Sequence, residues 1–446
     1  MRPRKKQQPS QRRDRPQRLP KEHLLQATNT AEEDDEMTTA NYAYTPLQNQ
    51  NNNRQIGSML SRDWRQALRT PHVYRVGNST LRIQSQFIVF LLFIFFIALY
   101  YYGYSLLTSL ICTAPQPHST MSPSHFYFYN RTYPLTPPVK QYTGISYAIA
   151  IVSDLDTNSK VEGKQKHDTW QSYFKKGTLT WMPSRNVVSV EWEASMTSLN
   201  SQLGLSGRGM ELSELITFDG RLLTFDDRTG MVYAFEGDKV YPWVILMDGN
   251  GKNLKGFKSE WAAVKDDQLY VGSMGKEWTT PTGEFVNNNP QWIKIISPRG
   301  EIHSTNWVSN YNRLREVLDI HFPGYMIHES GAWSNIHRKW FFLPRRCSKE
   351  QYNETKDESM SCNVLISADE TFVNVQVTYI GSVVPIRGYS SFKFLPGSKD
   401  TIIVALKTEE YKGNTATYIT AFTIEGQILM PDEKITDKKF EGLEFV

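Results

Sequence analysis

Cysteine is scarce in this sequence, with only three among 446 residues. Their spacing fits no zinc-binding pattern. Cys347 and Cys362 lie 15 residues apart, so both one disulfide in an oxidising compartment and two free buried thiols are open. A P-loop, a GxSxG motif and an HExxH motif are also absent, and the nine histidines form no metal-spaced cluster. Mechanisms that depend on those motifs therefore have no support.

A strong charge of one sign is absent from most of the chain. The net charge of +4 comes from the first 86 residues, which hold 15 Lys and Arg against 8 Asp and Glu. The remaining residues hold 35 against 38. This balance excludes a basic nucleic-acid-binding body, so no nucleic acid partner is expected.

Long apolar runs are absent with one exception. Residues 1–86, rich in Arg, Gln, Asn and Pro, predict a disordered cytosolic tail. Residues 87–111 form a run of 25 residues without a charge, which is long enough to cross a hydrocarbon core of ~30 Å. This run predicts a transmembrane signal anchor, and the arginines before it predict a cytosolic N-terminus and a lumenal or extracellular body. Residues 112–144, rich in Pro, Ser and Thr, predict a stem, and sequons begin at Asn130 and Asn353 on the predicted lumenal side.

Residues 145–446 consist of short strand-like runs separated by Gly and Asp. Between Gly207 and Leu246 the four runs are LSELITF, LLTFDD, MVYAFEG and YPWVIL. A second unit reads KGFKSEWAAV, QLYVGSM, GEFV and WIKII, and two further units begin at Tyr325 and Gly388. A fifth unit takes three strands from residues 145–193 and its first strand from the C-terminal FEGLEFV. Five four-stranded units predict an all-β fold, a five-bladed β-propeller.

The first strand of each unit carries Glu or Ser at a matching position. The five residues are Ser213, Glu260, Glu329, Ser390 and Glu441. First strands line the channel of a propeller, so these side chains are expected to converge. Three carboxylates in a narrow channel need a compensating cation, and a ring of hard oxygens suits Ca²⁺. The alternative is that the glutamates pair with Arg or Lys, or are solvated in an open channel.

Charged residues recur at the ends of the second strands. Because the blades repeat, these ends are expected to surround one mouth of the channel, with Asp154, Asp156, Asp226, Asp227, Arg228, Glu277, Arg345 and Arg346. Neighbouring loops are expected to add Glu191, Glu193 and Arg208. Arginine binds phosphate oxygens and a carboxylate can orient or deprotonate water, so carboxylates and arginines beside a metal suit phosphate chemistry. For each residue the alternative is a turn acid or a surface ion pair.

Two rival functions follow from the same residues. Asp154-Leu155-Asp156 imitates the metal-binding triplet of lumenal glycosyltransferases, although the strand periodicity argues against the α/β domain that they need. The second rival is a non-catalytic propeller that binds a ligand and uses calcium only for structure.

Many short motifs resemble the calcium-activated nucleotidase, or apyrase, family. They include YNRTYPLTPP, SDLDT, GRGMELSEL, DDRTGMVY, GFKSEW, GKEWTT, GYMIHES, RKWFFLPRR, GYSSFKF and FEGLEF, and the resemblance covers residues 130–446. It implies a five-bladed propeller and Ca²⁺-dependent hydrolysis of nucleoside di- and triphosphates, with UDP and GDP preferred in the endoplasmic reticulum–Golgi form. It also implies that the five channel residues are the calcium ligands.

The combined prediction is a single-pass type II membrane enzyme whose lumenal propeller removes the nucleoside diphosphate that glycosyltransferases produce. The candidate catalytic residues are Arg208 and Arg228 for phosphate binding, and Asp156, Glu193 and Asp227 for metal-bound water or the nucleophile. Trp192 and Trp278 are candidates to stack on a base. A released or surface form that acts on extracellular ATP and ADP, and a homodimer, stay open alternatives.

Overall fold

The structure is a computed structural model. It describes residues 72–76, 79–83, 85–113, 127–163 and 167–446, and side chains for 89–103 and for the last two of these ranges. The chain divides into two compact units, Met1–Pro123 and Ser124–Val446.

The described part of the first unit contains a hairpin and a helix. Strands His72–Val76 and Ser79–Ile83 pair antiparallel, and the helix is Ser85–Thr113. Within the described residues, no helix is both long and apolar enough to cross a membrane, so the anchor predicted over 87–111 is not supported. Most of the predicted tail lies outside the described residues.

The second unit contains five four-stranded antiparallel sheets, here called blades 1 to 5. Blade 1 comprises Leu212–Phe218, Arg221–Asp226, Met231–Glu236 and Lys239–Ile245. Blade 2 comprises Trp261–Lys265, Gln268–Gly272, Trp292–Ile296 and Ile302–Asn306. Blade 3 comprises Tyr325–Ser334, Lys339–Ser348, Val364–Asp369 and Val375–Tyr379. Blade 4 comprises Arg387–Phe394, Ile402–Tyr411, Asn414–Thr423 and Ile428–Thr436. Blade 5 comprises Phe440–Phe445, Ile145–Ser153, Trp170–Met182 and Val187–Trp192.

Shorter elements decorate these blades. The short strands are Val139–Lys140, Thr197–Ser201, Trp278–Thr279 and Phe285–Asn287. The helices are Val308–Glu316 and Glu354–Asp357, and the 3₁₀ turns are Asp156–Ser159, Pro183–Arg185 and Asn289–Gln291.

The C-terminal strand closes the ring. Phe440–Phe445 pairs antiparallel with Ile145–Ser153, with Leu443 opposite Ile151. Each first strand contacts the first strands of both neighbouring blades, and the contact between Phe440–Phe445 and Leu212–Phe218 completes the circle. The predicted five-bladed propeller, with one blade built from both ends of the domain, is confirmed.

Five buried hydrophobic clusters lie between the blades, one at each of the five interfaces. The cluster between blades 2 and 3 is the richest in aromatic side chains, since Trp261, Trp307, Trp340 and Phe342 pack edge to face there. The inner strands of each sheet are buried in these clusters, and this packing fixes where the first strands lie.

Blade 2 differs from the prediction. The run GEFV is not its third strand, because Phe285–Asn287 pairs instead with Trp278–Thr279 in a separate hairpin. A tight turn at Gly283, with φ of 96°, closes that hairpin. Phe285 and Val286 are exposed and so lack the buried face of a blade strand. The third and fourth strands are therefore WIKII and IHSTN.

Part of the predicted stem packs against the propeller. Val139–Lys140 pairs with the start of Ile145–Ser153. Tyr129 packs against the cluster between blades 1 and 2, and the Tyr133 hydroxyl donates to Glu444 Oε1 at 2.9 Å. Residues 127–144 thus belong structurally to the propeller unit.

Candidate active site

A cavity of about 560 Å³ is lined by strand residues of blades 3, 4 and 5 and by residues of loops next to the blades, including those of blades 1 and 2. Its volume lies in the ordinary range for small-molecule sites. The lining includes seven cationic side chains, Arg208, Arg228, Lys255, Lys258, Arg345, Arg346 and Lys439. It also includes ten carboxylates, Asp154, Asp156, Glu211, Asp227, Glu260, Glu329, Asp357, Glu358, Glu410 and Glu441. Because the lining has ten acids and only seven cations, the cations are too few to compensate all the carboxylates.

Three of the five predicted calcium ligands meet at this cavity. Glu329 Oε2 and Glu441 Oε1 both accept from Arg345 Nη1, the latter at 2.8 Å. Glu260 Oε1 lies 2.7 Å from Lys258 Nζ. In this structure the glutamates therefore pair with cations, which is the alternative that the sequence left open.

The two serines of the predicted ring are buried but do not line the cavity. Ser213 Oγ donates to the carbonyl of Ser259 at 2.5 Å, directly before Glu260 in the chain. The hydroxyl of Ser390 is fully buried and has no hydrogen-bond partner among the described residues.

The donor set fits a calcium ion. Burial raises the pKa of Glu260 to about 8, although Lys258 opposes the shift. Burial also raises the pKa of Glu441 well above its ordinary value, against the effect of Lys439. These shifts arise because the available cations do not compensate the buried carboxylates. Carboxylate and hydroxyl oxygens are the ligands that Ca²⁺ prefers, and the Ser390 hydroxyl is left unpaired.

A second acidic group lies at the same cavity. One carboxylate oxygen each of Asp154, Asp156 and Glu211 lies within 4.8 Å of the others. Asp156 has a left-handed φ of 48°, and its N–H donates to Asp154 Oδ1 at 2.9 Å. This turn keeps the two aspartates close together. Lys439 Nζ lies 2.8 Å from Asp154 and 3.3 Å from Asp156.

Glu211 was missed by the sequence interpretation, although it lies within the motif GRGMELSEL. Its carboxylate accepts from Arg208 Nε at 2.7 Å. Burial raises the pKa of Glu211 to about 7 despite this bond. Burial and the neighbouring Asp154 likewise raise the pKa of Asp156. Glu211, with a pKa of about 7 beside an open cavity, can therefore accept a proton near neutral pH.

Asp227 connects this region to the channel. Lys258 Nζ contacts both Asp227 Oδ2 and Glu260 Oε1, so one ammonium bridges the two carboxylates. Burial raises the pKa of Asp227, and its Oδ1 is buried without a partner among the described residues. Asp227 is therefore an incompletely satisfied carboxylate at the cavity wall.

The two arginines predicted to bind phosphate differ in how they are paired. Arg208 is occupied by Glu211 and lies 3.4 Å from Asp156. Arg228 lines the cavity and is half-buried. Its guanidinium makes no ion pair with any described carboxylate, so Arg228 has free hydrogen-bonding capacity.

Four predicted mouth residues lie elsewhere. Asp226 accepts from the backbone N–H of Met210 at 2.9 Å and of Arg228 at 3.0 Å, so it fixes the turn rather than lining the cavity. Glu277 forms a two-bond pair with Arg315 at 2.9 and 3.0 Å. The other two, Glu191 and Glu193, are exposed and absent from the cavity wall.

The position of Glu193 follows from the strand ladder. Its N–H donates to the carbonyl of Lys176 at 3.0 Å and so extends the outer strand of blade 5. The neighbouring Trp192 packs against the cluster between blades 4 and 5. Trp278 does line the cavity, and Lys255 Nζ lies 3.9 Å from the centre of its ring.

The loop after the second strand of blade 3 also reaches the cavity. Cys347 and Cys362 form a disulfide that closes this loop. The loop includes helix Glu354–Asp357, which Asn353 caps by accepting from the N–H of Lys356. Asp357 and Glu358 lie at the cavity wall. Neither belongs to a strand, so the disulfide is what restrains the loop that holds them.

Known proteins resemble this chain across almost the whole site. Residues 155–446 match the profile of the family described as apyrase. Soluble calcium-activated nucleotidase 1 of Rattus norvegicus is 54% identical over 318 residues, which cover 71% of this chain and 78% of the rat protein. Apyrases of Cimex lectularius and Phlebotomus duboscqi are 50% and 38% identical, over 71% and 67% of this chain and 87% and 88% of their own lengths. The family match includes every cavity-lining residue except Asp154.

Proposed function

The chain belongs to the apyrase family of nucleotide phosphohydrolases, and we propose that it cleaves the terminal phosphoanhydride of UDP, GDP and related nucleotides in a calcium-dependent reaction. The observation that supports this most directly is the cavity, where unpaired arginine donors face carboxylates of raised pKa. Arginine binds phosphate oxygens and a carboxylate can take a proton from water, so both parts of a hydrolysis are present.

Calcium has a place in this proposal. Ser213, Glu260, Glu329, Ser390 and Glu441 would hold the ion. A bound calcium ion supplies positive charge that compensates the carboxylates and the phosphates of the substrate.

Phosphate binding and proton transfer are assigned to different side chains of the cavity. Arg228 binds phosphate oxygens, because its side chain lines the cavity and pairs with no carboxylate in the described part of the chain. Glu211, with Asp156 beside it, accepts a proton as water attacks the terminal phosphorus. The bridging P–O bond then breaks, and the products are inorganic phosphate and a nucleoside monophosphate. Asp227 orients Lys258 between the cavity and the channel.

The base of the nucleotide fits against Trp278 rather than Trp192, since only Trp278 lines the cavity. Lys255 lies over one face of that ring, so the base would replace the ammonium or use the free part of the indole. Stacking of this kind tolerates different bases, which is consistent with hydrolysis of both UDP and GDP.

We place the enzyme in the lumen of the endoplasmic reticulum or Golgi, where it would remove a nucleoside diphosphate product of glycosyltransferases. The disulfide Cys347–Cys362 supports an oxidising compartment. The sequon residues Asn130 and Asn353 lie at exposed or half-exposed positions, as glycosylation requires.

The experiment that tests the substrate class compares phosphate release from UDP, GDP, ADP, ATP and UMP by the full chain with calcium present. The expected result is rapid release from UDP and GDP, slower release from the adenine nucleotides and none from UMP. A preference for ATP and ADP would instead favour an enzyme of extracellular nucleotides. Release from UMP at the rate of UDP would contradict cleavage of a phosphoanhydride.

A further inference from the structure

Arg346 is the most deeply buried arginine of the cavity wall, with 2% of its surface exposed. Its Nε and Nη1 atoms are fully buried and have no hydrogen-bond partner in the described structure. The nearest carboxylate oxygen, Asp357 Oδ2, lies 3.9 Å from Nε, beyond hydrogen-bond distance. A guanidinium that is buried with unused donors is costly to the fold unless something else binds it.

The adjacent Arg345 is in the opposite situation. Its guanidinium contacts three carboxylates, those of Glu329, Glu410 and Glu441. Arg345 therefore compensates the channel acids and has little capacity left for a substrate. Burial, and then the positive charge of Arg345, lowers the pKa of Arg346, and the acids Asp357, Glu329 and Glu410 offset this shift only in part.

The surroundings of Arg346 are shaped for its guanidinium. A Cβ atom at Gly388 would lie 3.0 Å from Arg346 Nη1 and 2.4 Å from Arg345 Cγ, so only glycine leaves this space at the start of blade 4. On the other side, Tyr325 donates to Asp357 Oδ1 at 2.6 Å and keeps that carboxylate away from a direct hydrogen bond. Asp357 itself belongs to the disulfide-closed loop.

We propose that Arg346 is a phosphate-binding residue of the active site, whose unused guanidinium donors receive phosphate oxygens of the bound nucleotide. This inference rests on the proposed function, because it assigns that cavity a second arginine with unused donors after Arg228. The phosphate supplies the missing acceptors, and its negative charge adds to the partial compensation that Asp357 gives. Arg346 therefore lowers the stability of the nucleotide-free protein and raises its affinity for the nucleotide.

The substitution Arg346→Met tests this inference, because it removes the charge and keeps the length. The probe is a methylene-bridged analogue of UDP that cannot be hydrolysed, and its affinity is measured by calorimetry with calcium present. Charge-assisted hydrogen bonds of this kind predict an affinity about 10- to 100-fold lower in Arg346→Met. Uridine, which has no phosphate, should bind both proteins equally.

Thermal stability without nucleotide separates this role from a structural one. Removing a buried charge whose Nε and Nη1 donors have no hydrogen-bond acceptor should leave the melting temperature of Arg346→Met equal to or above that of the wild type. Arg315→Met is the matched control, since Arg315 is also buried but is fully paired with Glu277 outside the cavity. This control should lower the melting temperature and leave the affinity of the folded protein for the analogue unchanged.

Unchanged affinity in Arg346→Met would overturn the inference, and so would a fall in melting temperature like that of Arg315→Met. If Arg346→Met fails to fold, Arg346→Lys decides, because a lysine should keep the charge but lose part of the affinity. If the wild type binds the analogue through Arg346 but releases no phosphate from UDP, the proposed function fails and this inference stands. If UDP is hydrolysed and Arg346→Met binds normally, only this inference fails.

Discussion

Single residues determine how the cavity accommodates more acids than cations. Arg345 and Lys258 each contact more than one carboxylate, so their loss would affect several acids at once. Glu211 and Asp156 keep raised pKa values because burial outweighs their contacts with Arg208 and Lys439. Substituting one of the two cations should therefore alter several carboxylates, whereas substituting Glu211 or Asp156 should alter proton transfer.

At Glu211 the raised pKa predicts a pH dependence. A folded-state pKa of about 7, above the ordinary 4.5, means that the carboxylate form is populated only as the pH rises through about 7. The same shift favours the folded protein below pH 4.5, and this stability is lost as the pH rises through about 7. If Glu211 accepts the proton of water, kcat/KM should rise with pH to a plateau above about 7.

Glu211→Gln should remove this rise and lower kcat by roughly 10²- to 10⁴-fold. A pH–rate profile of both proteins with UDP is the measurement. A variant that keeps the acidic limb of the wild type would assign the proton transfer to another group.

Substitution of Glu329 should weaken calcium binding. Glu329→Gln removes one of three carboxylates from the proposed site, so the calcium affinity should fall roughly 10- to 100-fold. Stability in chelator should change little, because Arg345 keeps Glu410 and Glu441 as partners. Isothermal titration calorimetry with calcium measures the affinity, and a thermal melt in chelator measures the stability.

Glu410→Gln is the control for this experiment, since Glu410 contacts the same guanidinium but is not part of the predicted ring. Its calcium affinity should stay near that of the wild type. Equal affinities in wild type and Glu329→Gln would remove Glu329 from the site.

At the level of elements, the strand repeat predicts some parts of the site and cannot predict others. The sequence predicts Glu260, Glu329 and Glu441 as one group because first strands recur at a fixed place in each unit, and all three line the cavity. The proximity of Glu211 to Asp154 depends on a turn of blade 5 meeting the loop before blade 1, and no local pattern records such a contact. The run GEFV has the composition of a blade strand, yet the hairpin with Trp278–Thr279 takes it out of the sheet.

The strand Phe440–Phe445 gives the prediction that belongs to this level. Deleting residues 440–446 exposes the edge of Ile145–Ser153 and removes Glu441. It also removes Phe440, Leu443 and Phe445 from the cluster between blades 4 and 5. Loss of three buried hydrophobic side chains costs several kcal/mol by transfer values of about 1.5–3 kcal/mol each. The truncated protein should therefore lose cooperative unfolding.

Glu441→Gln is the matched variant, because it keeps the strand and changes only the carboxylate. It should melt cooperatively but gain less stability from calcium than the wild type does. Thermal melts with calcium and with chelator compare the three proteins. A truncated protein that melts cooperatively and is stabilised by calcium would show that the ring closes without this strand.

For the whole molecule, closure of the ring and formation of the site depend on the same residues. The blade built from both ends of the domain contributes Asp154, Lys439 and Glu441 to the cavity. The disulfide-closed loop of blade 3 contributes Asp357 from outside the sheets. A ligand that binds only the closed ring stabilises it by mass action, so calcium should raise the melting temperature of the intact chain.

We propose that the residues of this cavity hydrolyse nucleoside diphosphates with calcium. The decisive measurement is phosphate release from UDP in calcium, in magnesium and in chelator. We expect release with calcium and little or none with magnesium or chelator. The reason is that Mg²⁺ demands a compact octahedral site, whereas carboxylates and hydroxyls from several different blades suit the looser geometry of Ca²⁺. Equal release in calcium and in chelator, or no release under any of the three conditions, would contradict the claim.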